Sequence, residues 1–198
     1  MKSDLKRKLS QVKDFEDPRI SLEQYITPPA LAADLVFTAY MNQDLEEKVL
    51  DLGTGTGIFA IGAALTGAEV TAVEKDAEAL ETARENAEEI GASGKIEFVE
   101  KDVLEVSGDF DTVLMNPPFS QHSEEGLKFW ARATEVADKV YAVSPSTGRE
   151  GIKSFIESSR HRVAELETIT VELPATYGFH TQEGRETKVD LIITEAKK

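Results

Sequence analysis

Short apolar segments alternate with amphipathic segments along this chain, and the alternation restricts the fold more than any other feature. Lys48–Leu52, Glu69–Glu74, Ile96–Glu100 and Phe110–Met115 have the length and apolar content of buried strands. Helix-like segments ending at glycine separate the first three of these strands. Strands that alternate with helices predict a parallel sheet covered on both faces.

The second half of the chain ends differently. A helix is predicted over Glu124–Ala137, a strand over Val140–Ser144 and a helix over Arg149–Ser159. Two long strands follow, near Val163–Leu173 and Thr187–Thr194, with no helix between them. The predicted fold is therefore α/β: a Rossmann-like, doubly wound, mostly parallel seven-stranded sheet with a terminal antiparallel hairpin.

Length and residue usage exclude several classes of protein. The chain has 198 residues and no cysteine, which excludes disulfide frameworks, thiolate catalysis and cysteine-ligated zinc. Its three histidines are scattered without metal-ligand spacing, so no metal site is expected. We expect one domain over residues 1–198, with an N-terminal helical extension over about residues 1–40. The first residues contain no apolar segment of a secretory signal, so a cytoplasmic protein without membrane contact is expected.

The charge is strongly acidic and unevenly distributed. The formal net charge is −15, and residues 74–111 hold 13 acidic and four basic side chains. Such a balance argues against nucleic-acid binding by bulk charge alone. Residues 1–19, by contrast, carry six basic and four acidic side chains. A polyanion could therefore approach one face of the molecule and avoid another.

A glycine-rich segment follows the first predicted strand and opens a helix. Gly53, Gly55 and Gly57 let the backbone turn tightly and approach a ligand closely, and the following helix offers unpaired amide groups. A nucleotide-like ligand is expected there. Glycine spacing does not choose the ligand, because Gly55, Gly57 and Ala60 also satisfy the dinucleotide-binding pattern.

Acidic residues at the ends of three successive strands narrow the choice. Asp51 ends the first strand and suits an ammonium group, whereas it would lie awkwardly near a pyrophosphate. Glu74 ends the second strand and suits ribose hydroxyls, and Asp102 follows the third, where a carboxylate can accept from an adenine amino group. Each of them could instead form a turn or cap a helix. Together they favour a cationic aminoacyl nucleoside such as S-adenosyl-L-methionine.

The turn Asn116-Pro117-Pro118-Phe119 directly follows the fourth predicted strand. Asn-Pro is also an ordinary turn initiator. Beside a segment that resembles motif I of class I methyltransferases at 51–57, however, such a turn is the signature of enzymes that methylate planar exocyclic or amide nitrogens. These four residues are the predicted catalytic residues.

The chemistry of an aromatic amine explains these residue types. Its lone pair is conjugated into the ring, so the nitrogen attacks a methyl sulfonium poorly. The side-chain oxygen of Asn116 and the carbonyl of Pro117 can accept both amino hydrogens, which favours the pyramidal nitrogen of the transition state. Phe119 can stack on the base. The proline rings stiffen the turn before substrate arrives.

Further segments resemble the methyltransferase-like protein 5 family along nearly the whole chain. These are Ser10–Pro18, Leu22–Pro29 and Leu173–His180, together with the glycine segment and the turn at 116–119. Members of that family methylate the 6-amino group of an adenosine in small-subunit ribosomal RNA. The resemblance implies that structured RNA is the substrate.

The same resemblance assigns roles to individual residues. Gln24 and Thr27 would fold over the cofactor, Leu52, Gly53, Gly55 and Gly57 would surround its methionine part, Glu74 would hold the ribose, and Asp102 with Val103 would hold the adenine. Tyr25, Phe119 and His180 would contact the substrate. The eukaryotic family member also needs a small zinc-binding activator protein, for which the edge strand near Ile96–Glu100 is the expected docking site.

Three other functions remain open from the sequence. Turns of this type also occur in enzymes that methylate the side-chain amide of glutamine in release factors, or the amino groups of guanine and cytosine. A non-catalytic nucleotide-binding scaffold could keep the same cleft. A nicotinamide-dependent enzyme is supported only by the dinucleotide-like glycine spacing.

Overall fold

The computed structural model has one sheet between two layers of helices, and it describes residues 1–19, 22–24, 27–118, 124–173 and 185–198. The helices are α1 (Lys2–Leu9), α2 (Pro29–Met41), α3 (Ile58–Thr66), α4 (Ala77–Ile90), α5 (Glu125–Val136) and α6 (Arg149–Ser158). The strands are β1 (Lys48–Leu52), β2 (Glu69–Glu74), β3 (Ile96–Glu100), β4 (Phe110–Met115), β5 (Ala137–Pro145), β6 (His161–Leu173) and β7 (Arg185–Ala196).

The order of the strands confirms the predicted fold class. It is β3-β2-β1-β4-β5-β7-β6, with β1 to β5 parallel and β7 antiparallel to both β5 and β6. The last strand of the chain therefore lies inside the sheet, between β5 and the edge strand β6. The chain turns to opposite sides of β1, with β2 on one side and β4 on the other, and ligands bind beyond the carboxyl ends of the strands at such a switch point.

The strand β5 begins three residues earlier than the sequence predicts. Helix α5 ends at Val136, and Ala137 opens the strand at once by pairing with Phe110. Because Asp138 and Lys139 are polar, the apolar pattern of the sequence does not indicate that the strand begins at Ala137. Lys139 is paired with Asp44 at 2.6 Å, so its charge has a partner at the edge of the core.

Two hydrophobic clusters lie on the two faces of the sheet. One is formed with α1, α2 and α3 and contains Leu9, Leu35 and Ile61. The other is formed with α5 and α6 and contains Trp130 and Ile156. Successive strand residues point alternately into the two clusters, and this double burial explains why β1 and β4 are apolar at most of their buried positions.

Asn86 on α4 joins three separate parts of the chain. Its side chain is fully buried, and its Oδ1 accepts from the Lys13 amide at 2.9 Å. Its Nδ2 donates to the Lys13 carbonyl at 3.1 Å and to the Thr56 carbonyl at 3.0 Å. One amide thus fixes the segment after α1 and the glycine loop after β1 to the same helix.

Replacing Asn86 with Ala tests this anchor. The substitution leaves the buried amide and carbonyl groups of two segments without partners, so the free energy of unfolding should fall by about 2–3 kcal/mol. Urea unfolding measures the change. Glu88→Ala, on the exposed side of the same helix, is the matched control, and equal effects of the two substitutions would contradict the anchoring role.

Candidate functional site

The largest group of predicted site residues meets in one cavity of ≈ 260 Å³ at the carboxyl ends of β1, β2 and β4. The predicted residues that line it are Gln24, Thr27, Gly53, Gly55, Glu74, Asp102, Val103, Asn116 and Pro118. Four others lie behind this lining: Asp51, Leu52, Gly57 and Pro117 are buried and do not line the cavity. Tyr25, Phe119 and His180 lie outside the described residues.

The glycine loop has the shape of a cradle. Gly53 has a φ of +77°, and a Cβ built on it would lie 2.6 Å from Cε1 of Phe129. Gly55 has a φ of +54°, and its Cβ would lie 3.1 Å from Cζ of Phe15. A side chain at either position would be strained by the backbone and would fill the space between the loop and an aromatic ring. The rings of Phe129 and Phe15 therefore pack against the glycine loop, which has no room for a side chain at these two positions.

Asp51 lies beneath this loop and is fully buried. Its Oδ2 accepts from the Thr54 hydroxyl at 2.6 Å and from the Ala60 amide at 2.8 Å, whereas no described residue donates to its Oδ1. Burial raises the pKa of Asp51 to about 7. The cause is desolvation, because a carboxylate away from water favours its neutral form. A nearby cation would return it to the charged form.

Glu74 faces the cavity from the end of β2. Its Oε2 accepts from the Gly55 amide at 3.0 Å, and its Oε1 accepts from the amides of Lys75 and Asp76 at 2.9 Å and 3.1 Å. Burial raises its pKa, against the opposing effect of these three donors. The carboxylate is thus fixed in one orientation, next to the glycine loop.

Asp102 and Val103 form the wall beyond β3. Asp102 accepts from the Leu104 amide at 2.9 Å and so caps the 3-10 turn Val103–Glu105. This is the turn-forming role that the sequence left open for Asp102, and it holds the residue at the cavity rather than away from it.

The turn after β4 presents an unused acceptor. Asn116 donates from Nδ2 to the Thr27 hydroxyl at 2.8 Å, while its Oδ1 is buried and no described residue donates to it. The next helix approaches the same turn closely, because a Cβ on Gly126 would lie 2.7 Å from the Pro118 carbonyl oxygen. The turn is therefore supported by α5, and its asparagine carries an acceptor without a partner.

The segment before α2 crosses the cavity and is held by polar contacts. Gln24 donates from Nε2 to Asp76 at 2.6 Å and accepts from the Arg19 amide at 2.8 Å. Arg19 also pairs with Asp76 at 3.4 Å and with Glu78 at 2.8 Å. Gln24 thus lies at the cavity as predicted, with its amide bonded to the protein.

Several cavity residues were not singled out by the sequence analysis. Phe15 and Leu22 come from the N-terminal segment, and Glu125 and Phe129 come from the first turns of α5. An aromatic residue on an amphipathic helix has the same pattern as a core residue, so only its packing against Gly53 identifies Phe129. Nothing in the local sequence marks the other three.

The described residues contain neither a cluster suited to a metal ion nor a helix suited to span a membrane. Within them, no group of three or more histidine, aspartate or glutamate side chains is arranged to hold a metal ion. His161 is buried, and its ring is hydrogen-bonded to the Thr194 hydroxyl at 2.8 Å and to the Ala137 carbonyl at 2.9 Å. It does not line the cavity. No helix in the described part of the chain is long and apolar enough to cross a membrane.

The raised pKa of Asp51 predicts a specific pH dependence of stability. The folded chain holds this proton more tightly than the unfolded chain, whose aspartate has the ordinary pKa of 3.8. Ionisation of Asp51 therefore costs stability as the pH rises from the ordinary value to about 7. Asp51→Asn lacks this ionisation.

Urea unfolding at about pH 5.5 and about pH 8.5 measures this dependence. We expect the unfolding free energy of the parent chain, relative to Asp51→Asn, to be lower at the higher pH. The difference between the two proteins cancels the titration of carboxylates that do not interact with Asp51, whereas the charge of Glu74 contributes to the raised pKa of Asp51 and remains part of the measured effect. A difference that stays constant, or that changes in the other direction, would contradict the raised pKa.

Comparison with known proteins places this geometry in a family. The methyltransferase small domain model matches residues 32–143. The rRNA N(6)-adenosine-methyltransferase METTL5 of Danio rerio is 34% identical over 194 residues, which cover 93% of each chain. A release factor glutamine methyltransferase of Chlorobaculum tepidum is 43% identical over 96 residues, which cover 44% of this chain and 31% of that protein.

Among solved structures, the Pyrococcus horikoshii protein PH1948, a candidate RNA methyltransferase, superposes with a TM-score of 0.91 at 35% identity. That match covers 100% of this chain and 98% of the other. Since both the sequence and the structural matches extend from end to end, the chain belongs to the METTL5 family of methyltransferases.

Proposed function

We propose that this protein transfers a methyl group from S-adenosyl-L-methionine to the exocyclic 6-amino group of an adenosine in RNA, and that the RNA is small-subunit ribosomal RNA. One observation carries the reaction type. It is the buried Oδ1 of Asn116, an acceptor at the cavity to which no described residue donates. An amino group of the substrate is the donor that this position lacks.

The cavity suits the proposed cofactor in shape and in charge. Gly53 and Gly55 line the cavity without side chains, and this part of the loop would take the methionine part. Glu74 would accept from the ribose hydroxyls, and Asp102 with Val103 would hold the adenine. Buried Asp51 beneath the loop favours a positively charged ligand, because a cation offsets the cost of its ionisation. When bound, this cofactor supplies a methyl group on a cationic sulfur.

Asn116 would act on the substrate nitrogen. Its Oδ1 accepts one amino hydrogen and the Pro117 carbonyl accepts the other, which returns lone-pair density to the nitrogen and aims it into the cavity. No strong base is needed, because the nitrogen that has gained a methyl group is acidic and releases its proton to water. Support of Pro118 by Gly126 fixes the turn in advance, so little reorganisation accompanies the reaction. Phe119 would stack on the base.

The family relationship favours RNA over protein as the substrate. The matching rRNA adenosine methyltransferase spans 93% of this chain, whereas the release factor methyltransferase matches less than half of it. A planar side-chain amide could use the same acceptors, so the cavity alone does not decide between the two substrates. The end-to-end match includes the N-terminal segment that covers the cavity, and this segment is where specificity for a substrate would be built.

An activator protein has a place to bind at the edge of the sheet. Strand β3 pairs with β2 on one side, and no other described strand pairs with its opposite side. We propose this edge, Ile96–Glu100, for the small zinc-binding partner that the family resemblance implies. Backbone hydrogen bonds at an open strand edge give affinity without requiring a particular side-chain sequence.

Asn116→Ala tests the proposed function. The substitution removes the acceptor and should lower methyl transfer to ribosomal RNA by about 100-fold or more, since one preorganised hydrogen bond to a reacting group has this value in other enzymes. Cofactor binding, measured by calorimetry, should persist because the glycine loop and Glu74 are untouched. Glu46→Gln, exposed at the opposite end of the sheet, is the matched control.

The same assay distinguishes the substrates. Purified protein with labelled cofactor is offered small-subunit ribosomal RNA and, separately, a release factor. Incorporation into RNA at the 6-amino group of an adenosine is the expected result. Label in the release factor alone would overturn the RNA assignment, and an unchanged rate for Asn116→Ala would overturn the role of Asn116.

A further inference from the structure

Residues 13–19 and 22–24 of the N-terminal segment, here called the cover, form part of the cavity wall. Four cover residues line the cavity: Phe15, Leu22, Glu23 and Gln24. The ring of Phe15 packs against the glycine loop, because a Cβ built on Gly55 would lie 3.1 Å from its Cζ. A ligand that contacts the backbone of this loop must therefore share the space with the cover.

The cover has no anchor in the hydrophobic core. Between Val12 and Leu31, the described part of the chain contributes no residue to that core. A segment with few buried apolar contacts opens at a lower free energy than the body of a protein does. Its attachment therefore depends on polar contacts.

The later half of the cover is held at the start of α4. Arg19 pairs with Asp76 at 3.4 Å and with Glu78 at 2.8 Å. Gln24 donates to Asp76 at 2.6 Å. We call these four side chains the latch. Arg19 and Glu78 are exposed, so their ion pair forms and breaks in contact with water and adds little stability.

The backbone of the cover is strained in the attached position. Glu23 has a φ of +51°, in the left-handed region that a residue with a side chain adopts only at a cost. Detachment of the cover would let Glu23 return to an ordinary conformation. The latch therefore holds the cover against a local strain, and the balance between attached and detached states is small enough to be shifted by a few contacts.

We propose that the cover is a gate: the latch releases it to admit the cofactor and to free the spent product, and holds it over the glycine loop during transfer. This inference rests on the proposed function, since it takes the ligand to be S-adenosyl-L-methionine. The cavity of ≈ 260 Å³ is smaller than the roughly 300–1,000 Å³ of pockets for small molecules, so entry of a nucleoside requires space that the cover occupies. Closure of such a segment excludes water from the reaction.

One introduced thiol reports opening without any ligand, because the chain has no cysteine. Thr56 lines the cavity and is 3% exposed, and its carbonyl shares the Asn86 amide with Lys13 at the start of the cover. The rate at which iodoacetamide labels Thr56→Cys measures how often the cover is open. Arg19→Gln breaks both ion pairs of the latch and should raise this rate by about 3-fold or more, as expected for exposed pairs.

Three controls identify the cause of a faster rate. Glu78→Gln breaks one pair from the side of α4 and should also raise the rate, although the cover is unchanged. Arg7→Gln removes the same charge from α1, where its partner is Asp4, and should leave the rate unchanged. Ser144→Cys is buried outside the cavity lining and should stay slow in every background, because only global unfolding exposes it.

The kinetics of cofactor binding provide the second readout. Arg19→Gln should raise both the association and the dissociation rate constants of S-adenosyl-L-methionine by about 3-fold, measured by surface plasmon resonance, because a larger fraction of the chain is open. Glu78→Gln should raise the association rate constant as well, although it removes a negative charge that attracts a cationic ligand. A cover that served only as a fixed wall would change the dissociation rate constant alone.

The outcomes separate the gate from the proposed function. An unchanged labelling rate of Thr56→Cys in the Arg19→Gln chain, an equal rise for Ser144→Cys, or an unchanged association rate constant would overturn the gate. Each of these results leaves the proposed function standing, because the parent chain still binds the cofactor. Failure of the parent chain to bind S-adenosyl-L-methionine would overturn the proposed function and the gate together.

Discussion

A buried acceptor without a donor costs about 1–3 kcal/mol, and two such oxygens lie at the carboxyl edge of this sheet. They belong to Asp51, beneath the glycine loop, and to Asn116, after β4. A fold bears such a cost only when its surroundings prevent the group from turning to another partner. Here Thr54 and Ala60 hold one oxygen of Asp51, and Thr27 holds the nitrogen of Asn116. These contacts fix Oδ2 of Asp51 and Nδ2 of Asn116, and they leave Oδ1 of both side chains without a donor among the described residues.

The N-terminal extension belongs to the site rather than lying beside it. It is anchored by Asn86 at Lys13, by Asp76 at Gln24 and by Asn116 at Thr27. These three contacts cross the ends of α4, β2 and β4 in turn. The extension therefore links the side of the cavity proposed for the ribose with the side proposed for the reacting nitrogen.

Local sequence patterns predicted the sheet well and the contacts across it poorly. The bounds of β1 to β4 follow from segments of five or six residues rich in apolar and β-branched side chains, and such segments need no knowledge of distant residues. The early start of β5 was not predicted because Asp138 and Lys139 are polar. The charge of Lys139 is paired with Asp44, which lies 95 positions away in the chain. The insertion of β7 beside β5 pairs residues far apart in the chain, such as Lys139 with Glu195, which no local pattern records.

The same limit applies to the candidate site. The glycines, Glu74, Asp102 and Asn116 were expected at the cavity because each lies at or just beyond the end of a strand, where a parallel sheet brings such residues together. Phe129 and Phe15 were missed because their function arises only from packing against Gly53 and Gly55. For Gln24 and Thr27 a place at the cavity was predicted from resemblance, while their bonds to Asp76 and Asn116 join residues far apart in the chain and are seen only in the structure.

Charge decides how RNA can reach the cavity. Helix α4 carries five glutamates and one arginine, and β3 beside it adds Glu97 and Glu100, so phosphates are repelled from this side of the sheet. Helices α5 and α6 each carry two acidic and two basic side chains, so no net charge on them opposes an approach of phosphates from their side. An activator bound at the β3 edge would then lie on the acidic side and leave that approach open. A basic partner at this edge would also reduce the net charge of −15, which lowers the electrostatic barrier to RNA at every distance within the Debye length.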